Sequence, residues 1–287
     1  MRNTYLTLDA LKSTGGLNIT GTAYDSRLLI LLENISRQVD RYTNRVFYPW
    51  SGTQMFSGDG STLMLVPDLI SVTSIKEDEN EDGTFEVTWA GSGIGGTDFF
   101  LTPFQNQPSS TIEQIAKPFT GVVVNSNSNG TQDEFIYGMR NYEIVGTWGY
   151  SHVQRDFGNV TSGSIAASGS ITLTTAGTAH EAGQLLLIDS EWIYVKGVTT
   201  GTLLNVDRGV NGSSPTVHAS GTAVLQIIYP GPVQEAVRIQ SARLWKRNES
   251  AFSNLVGMDQ TGQIAVFQGG LDGDVKALLQ PYKKFTI

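Results

Sequence analysis

The chain has 287 residues, with 19 Lys or Arg against 27 Asp or Glu, a net charge of −8. That length suits one large domain or two modest ones. The acidity argues against wrapping nucleic acid by phosphate neutralisation. The absence of cysteine removes disulfides, thiolate nucleophiles and Cys-based metal sites, and fits a reducing compartment. Glycine is abundant, at 32 residues, and charged residues make up only 16%, a composition that reads as many short strands joined by turns. The longest apolar run, Leu28 to Leu32, is far short of the ~20 residues of a membrane span. Met1 to Thr4 leads into no apolar segment, so no secretory signal is expected.

In chain order, Leu8 to Lys12 predicts a short helix, capped by Thr7 and stopped by Gly15-Gly16. A longer helix is predicted over 24–45. Leu28, Leu32, Ile35, Val39 and Tyr42 share one face, with Arg27, Glu33, Arg37, Asp40 and Arg41 opposite. From Thr53 to Val153 the texture is β. Met55-Phe56 and Leu63 to Val66 flank Gly58-Asp59-Gly60-Ser61, a hairpin signal. Val72 to Lys76 and Phe85 to Trp89 flank an acidic turn that ends in Asp82-Gly83, and further strands are expected at Phe99 to Leu101, Val122 to Val124 and Tyr142 to Trp148. Residues 155–229 show no helical period. Strands are predicted there at Ser170 to Thr174, Gln184 to Ile188, Glu191 to Val198, Thr202 to Val206 and Ala223 to Ile227. The helical period returns over 231–249, where Val233, Ala236, Val237 and Leu244 mark a buried face and Arg238, Arg243, Lys246 and Arg247 a basic one. A last helix is expected over 272–280, followed by an extended tail from Tyr282 to Ile287. The expected fold is therefore α+β: a helical body, 1–154 and 230–287, with a central β-hairpin and sheet region and an inserted small all-β module at 155–229.

Few motifs carry chemistry. Gly91-Ser92-Gly93-Ile94-Gly95-Gly96 fits the dinucleotide glycine pattern, but Thr97 to Pro103 starts no helix to hold a pyrophosphate, so a hairpin loop is expected. Asp78-Glu79-Asn80-Glu81-Asp82-Gly83 opens like a calcium loop, yet Trp89 stands at the twelfth position where a bidentate Glu belongs. It reads as a solvated acidic tip; residues 76–86 hold six acids and one Lys. His152, His180 and His218 lack metal-ligand spacing and read as surface or turn residues. Asp133-Glu134 and Asp189 with Glu191 are carboxylate pairs of the kind used on glycosides. The five tryptophans, Trp50, Trp89, Trp148, Trp192 and Trp245, suit core packing better than a sugar platform.

Two passages considered together carry a resemblance. One is Tyr5-Leu6-Thr7-Leu8-Asp9-Ala10-Leu11-Lys12 with Ile35-Ser36-Arg37-Gln38-Val39-Asp40-Arg41-Tyr42-Thr43-Asn44-Arg45-Val46-Phe47-Tyr48-Pro49. The other is Pro232-Val233-Gln234-Glu235-Ala236-Val237, then Ala242-Arg243-Leu244-Trp245-Lys246-Arg247 and Asp274-Val275-Lys276-Ala277-Leu278-Leu279-Gln280-Pro281-Tyr282. They resemble the head-to-tail connector (adaptor) proteins of tailed bacteriophages. The resemblance implies a structural virion protein rather than an enzyme, with no catalytic residue, metal or cofactor. It implies a homo-oligomeric ring, usually of twelve copies, in the neck of the virion and assembled in the host cytoplasm. Such a ring binds the portal protein on one side and the next tail or neck component on the other. Double-stranded DNA passes through without sequence-specific binding, and no membrane is involved.

On this reading the ring faces are the helices 24–45 and 231–249, through Arg37, Asp40, Arg41, Arg238, Arg243 and Arg247. The portal clasp is the C-terminal segment, through Leu278, Leu279, Pro281, Tyr282, Phe285 and Ile287. The module at 155–229 departs from many adaptors, and as a projecting insertion it would decorate or dock on the outside of the ring. The competing expectation is a β-rich tail protein that binds or degrades host carbohydrate through Asp189 and Glu191.

Overall fold

Alternation with a period of two organises most of this chain, and helical periodicity organises its two ends. The computed structural model describes residues 3–112, 114–126, 130–150, 152–161, 170–172, 180–200, 202–249, 255–256, 265–266 and 270–284.

The first sheet contains β1 (Trp50–Gly58), β2 (Leu63–Glu77), β3 (Val87–Thr88), β4 (Phe99–Thr102), β5 (Phe119–Val124) and β6 (Gly138–Trp148). Its order is β1-β6-β2-β5-β4, with β3 paired to β2, and every ladder is antiparallel. Alternate residues of β2 and its neighbours, among them Met64, Val66, Val122, Val124 and Leu101, turn into one apolar core. There the Trp89 and Phe135 rings stack at 4.9 Å, with Tyr142 edge-on to both. The expected pairing of Met55-Phe56 with Leu63 to Val66 does not form. Asp59 closes the turn by accepting the Ser61 N–H at 3.0 Å, but β6 lies between β1 and β2 and Tyr142 is in register with both Phe56 and Glu77. The local turn signal is real, and the hydrogen-bond partner comes from far along the chain.

The second sheet contains β7 (Val153–Asn159), β8 (Ser170–Thr172), β9 (Leu185–Ile188), β10 (Glu191–Thr200), β11 (Leu203–Val210) and β12 (Ala223–Ile228), in the order β7-β12-β9-β10-β11-β8. Its strands are antiparallel and serve two cores. Leu186, Ile188, Ile193, Val195, Val206 and Val224 form a core of their own with Phe157. Leu185, Trp192 and Ile227, from the opposite face, join the helices. The module is therefore packed onto the body on one side and does not project freely. The sequence boundary at 154/155 falls inside β7.

The helices are α1 (Leu8–Lys12), α2 (Asp25–Thr43), α3 (Gly231–Glu249) and α4 (Gly273–Leu279), with a 3-10 turn at Gln280–Tyr282. A two-stranded ladder, β13 (Leu255–Val256) with β14 (Ala265–Val266), lies between α3 and α4. As expected, Leu28, Leu32, Ile35 and Val39 are the buried stripe of α2, and Val233, Ala236 and Val237 that of α3. They pack with Tyr5, Phe47, Val275, Leu279 and Tyr282.

The expected α+β fold with a helical adaptor body is corrected by this architecture. The chain is mostly β, with two six-stranded antiparallel sheets. Only α2 and α3, of nineteen residues each, are long; α1 and α4 have five and seven. Helical stripes are strong sequence signals, so two long helices weighed more in the reading than many short strands, each weakly marked.

Body and module are fastened at one corner. The Asn211 carbonyl accepts the Ser51 N–H at 2.8 Å, and the Asn211 side chain bonds Asn3 at 2.6 Å and the Pro49 carbonyl at 3.0 Å. Gly212, at φ +81°, lies so close that a Cβ there would sit 1.9 Å from the Ser51 carbonyl oxygen. Only glycine fits this contact.

Candidate functional site

The charged stripe of α2 turns back into its own chain. Arg37 lies over the rings of Tyr48 and Tyr5, at 4.8 and 5.3 Å, donates to the Asn3 carbonyl at 3.1 Å and pairs with Asp40 at 3.1 Å. The Tyr5 hydroxyl donates to Asp40 Oδ1 at 2.5 Å and accepts the Phe47 N–H at 3.0 Å. Burial pushes the Asp40 carboxyl up to about 6, although Arg37 and the Tyr5 hydroxyl both act to lower it. Burial and the Asp40 charge drive the Tyr5 phenol upward as well.

On α3, Arg238 forms a two-pronged pair with Glu235 at 2.6 and 2.8 Å and also donates to the Gly15 carbonyl. Arg243 forms a second fork on Asp274, at 2.6 Å for each prong, and reaches Asp272 at 2.9 Å, tying α3 to α4. Arg37, Asp40, Arg238 and Arg243, all expected at a ring face, are thus engaged inside the chain. The exposed Arg41 and the half-buried Arg247 line a groove between α2, α3 and α4 with Gln38, Tyr42, Gln240 and Lys276. Its volume is about 570 Å³, and no carboxylate lines it.

The C-terminal segment is folded against the far end of α2. Leu279 is buried, Leu278 half-buried and Pro281 exposed. Tyr282 is buried between Tyr150 and Phe47, at 5.6 and 5.8 Å, and its carbonyl accepts from Arg45 Nε at 2.6 Å. The Lys284 N–H reaches the Thr43 carbonyl at 2.7 Å, while its ammonium shares Asp68 with Arg45 at 3.3 and 2.6 Å. Phe285 and Ile287 lie outside the described residues. Leu279 and Tyr282 therefore belong to the chain's own core, and of the expected clasp residues Leu278 and Pro281 are the ones placed at the surface.

Of the carboxylates considered for glycoside chemistry, Asp189 and Glu191 are arranged for a different purpose. Glu191 is fully buried. It receives Arg208 in a fork at 2.6 and 2.7 Å, the N–H groups of Gly209 and Thr216 at 2.9 and 3.0 Å, and His218 Nε2 at 2.9 Å. His218, also fully buried, places its Nδ1 2.7 Å from Asp189. Two carboxylates thus face the two ring nitrogens. Burial alone would raise the Glu191 carboxyl. The Arg208 guanidinium, the Thr216 N–H, His218 and the Gly209 N–H outweigh it and pull the group down to about 2. Five donors use up the acceptor capacity of one carboxylate, which leaves no oxygen of Glu191 to attack or protonate a substrate. The cluster is a buried clamp that holds β10, β11 and the 213–218 turn together.

His180 and His218, expected at surface or turn positions, are buried, and His152 is half-buried, its imidazole pushed down by that burial. The glycine loop is a tight bridge between Ser92 and Gly95 with no helix after it. In the acidic tip, Asp78, Asp82 and Glu86 bring carboxylate oxygens within 4.8 Å of one another. The buried Asp78 already accepts the N–H groups of Asp82 and Gly83, at 3.2 and 2.8 Å. Sequence reasoning missed Tyr5, Arg208 and His218 as organising residues. Their partners stand 35, 17 and 27 positions away, and no local spacing announces such pairs.

No protein-family model, curated protein or solved structure matches this chain.

Proposed function

We propose that this protein is a structural connector of a tailed-phage neck, a ring-forming subunit that joins the portal to the tail and lines the passage for DNA. The observation that carries the reading is the closure of its two ends. The passages that bear the resemblance, around Tyr5 to Pro49 and Pro232 to Tyr282, meet in one core although both sheets lie between them in the chain. Tyr5 and Phe47 touch at 5.4 Å, Phe47 and Tyr282 at 5.8 Å, and Arg243 binds α3 to α4. That core presents helix faces from both passages side by side, as a ring subunit requires. The net charge of −8 is suited to a channel through which DNA slides without adhering.

The test mixes the purified chain with the portal of the same virion and images the product by electron microscopy. A symmetric ring stacked on the portal supports the reading and gives the copy number. A chain that stays monomeric and leaves the portal bare refutes it.

A further inference from the structure

Two regions of opposite charge lie exposed on this molecule. The first is the turn between β2 and β3. Glu79, Glu81, Asp82 and Glu86 are exposed there. Lys76, the one base in residues 76–86, reaches across to Glu143 on β6 at 3.8 Å instead. Among the described residues no Lys or Arg lies within ion-pair distance of those four acids. The turn is narrow, with Glu81 at φ +59° and Gly83 at φ +89°.

The second charge is the groove between α2, α3 and α4. Arg41 and Lys276 are exposed on its walls, with Arg247 between them. The neighbouring acids are used elsewhere: Asp40 by Arg37 and Tyr5, Asp272 and Asp274 by Arg243. Among the described residues Arg41 and Lys276 have no carboxylate within ion-pair distance.

These two features cannot meet within one copy. The acidic turn leaves β2 at Glu77, in register with Tyr142 near the start of β6. Arg41 shares a second hollow with Trp148, at the other end of β6. At about 3.3 Å per residue the strand alone separates them by ~20 Å. A projecting anionic tip and a cationic groove, far apart on one chain, form a head-to-tail contact between copies, the heterologous kind from which rings are built.

We propose that the acidic tip of one copy, through Glu79 and Glu86, seats in the Arg41–Arg247–Lys276 groove of the next. The proposal rests on the ring reading and names its two faces. Because the charges are exposed in the free chain, the contact weakens with salt.

The experiment uses the full chain in three forms: wild type, Glu79→Lys with Glu86→Lys, and Arg41→Glu with Lys276→Glu. All four side-chain changes are at exposed positions, and circular dichroism verifies folding. Assembly is measured by sedimentation, with and without the portal ring of the same virion, at low and high salt. Each double variant alone is expected to lose assembly at least tenfold. Mixed together in equal amounts, the two are expected to regain it as alternating subunits, since a reversed tip then meets a reversed groove. Assembly of either variant at the wild-type level overturns the proposal and leaves the ring reading standing. Loss without rescue on mixing overturns it too. So does binding of a DNA duplex that depends on Arg41 and Lys276 while assembly is unchanged. A wild type that never assembles, with or without the portal, refutes both.

Discussion

Replacing Glu191 by Gln measures the buried clamp directly. The substitution keeps the shape and removes the charge that five donors share. Two routes give its magnitude. The fall of the carboxyl from an ordinary 4.5 to about 2 corresponds to about 3 kcal/mol, and to about 2 after allowing for screening by water at the rim. Removing one partner of a buried ion pair costs about 3–5 kcal/mol, because the other charge stays behind unpaired. A loss of about 2–4 kcal/mol is therefore expected at pH 7, read by equilibrium urea unfolding. The pH dependence has a definite sign. A carboxyl whose folded value is depressed contributes stability above its unfolded value, so the gap between wild type and variant is full above about 4.5, narrows as pH falls, and is gone near 2. A variant within 0.5 kcal/mol of wild type at pH 7, or a gap as wide at pH 3 as at pH 7, would refute the reasoning.

Other perturbations test other joints. Tyr5→Phe removes the donor to Asp40 and strands the Phe47 N–H, at an expected cost of about 2–3 kcal/mol in chemical denaturation; a neutral result would show that the hydroxyl bridges nothing. Asp40 works in the opposite sense to Glu191. Its folded value is raised from 3.8 to about 6, so its contribution is present below about 4 and is lost as pH rises through about 6. Urea midpoints between pH 4 and 6 should show this decline, and Asp40→Asn should flatten it. Gly212→Ala puts a methyl against the Ser51 carbonyl at a positive φ and is expected to cost more than about 2 kcal/mol, with amide exchange rising first in β1 and β10; unchanged protection there would place the fastening elsewhere.

What the sequence revealed, and what it hid, divides by range of interaction. The stripe Leu28, Leu32, Ile35 and Val39 named the buried face of α2 because helix geometry is local. Thr7 was likewise legible as the cap of α1, and its hydroxyl accepts the Ala10 N–H at 3.3 Å. The break between the strands expected at Gln184 to Ile188 and Glu191 to Val198 was legible too, and Asp189 there has φ +53°. β7 was not legible. Val153-Gln154-Arg155-Asp156-Phe157-Gly158-Asn159 holds one fully buried side chain, Phe157, and is an edge strand whose neighbour β12 lies some seventy residues on. The insertion of β6 between β1 and β2 is silent for the same reason: Gly58 and Asp59 specify a turn but not which strand pairs beside it. Among the site residues, the charges were expected on ring-facing helix surfaces, and Arg37 and Asp40 instead turn into their own chain. Whether a given arginine serves its own chain was beyond reach, because Arg243 meets Asp274, and Arg238 meets Gly15, only after α3 has packed.

The join of Tyr5, Phe47 and Tyr282 has a bearing on how this molecule comes into being. Both sheets, spanning Trp50–Gly58 through Ala223–Ile228, are made on the ribosome before Tyr282 exists, while α1 and α2 wait with one flank open. The groove between α2, α3 and α4 is likewise built from pieces on either side of both sheets in the chain. A nascent chain therefore cannot offer that surface before α4 has been made. On the proposed ring reading, competence to associate waits on the making of α4.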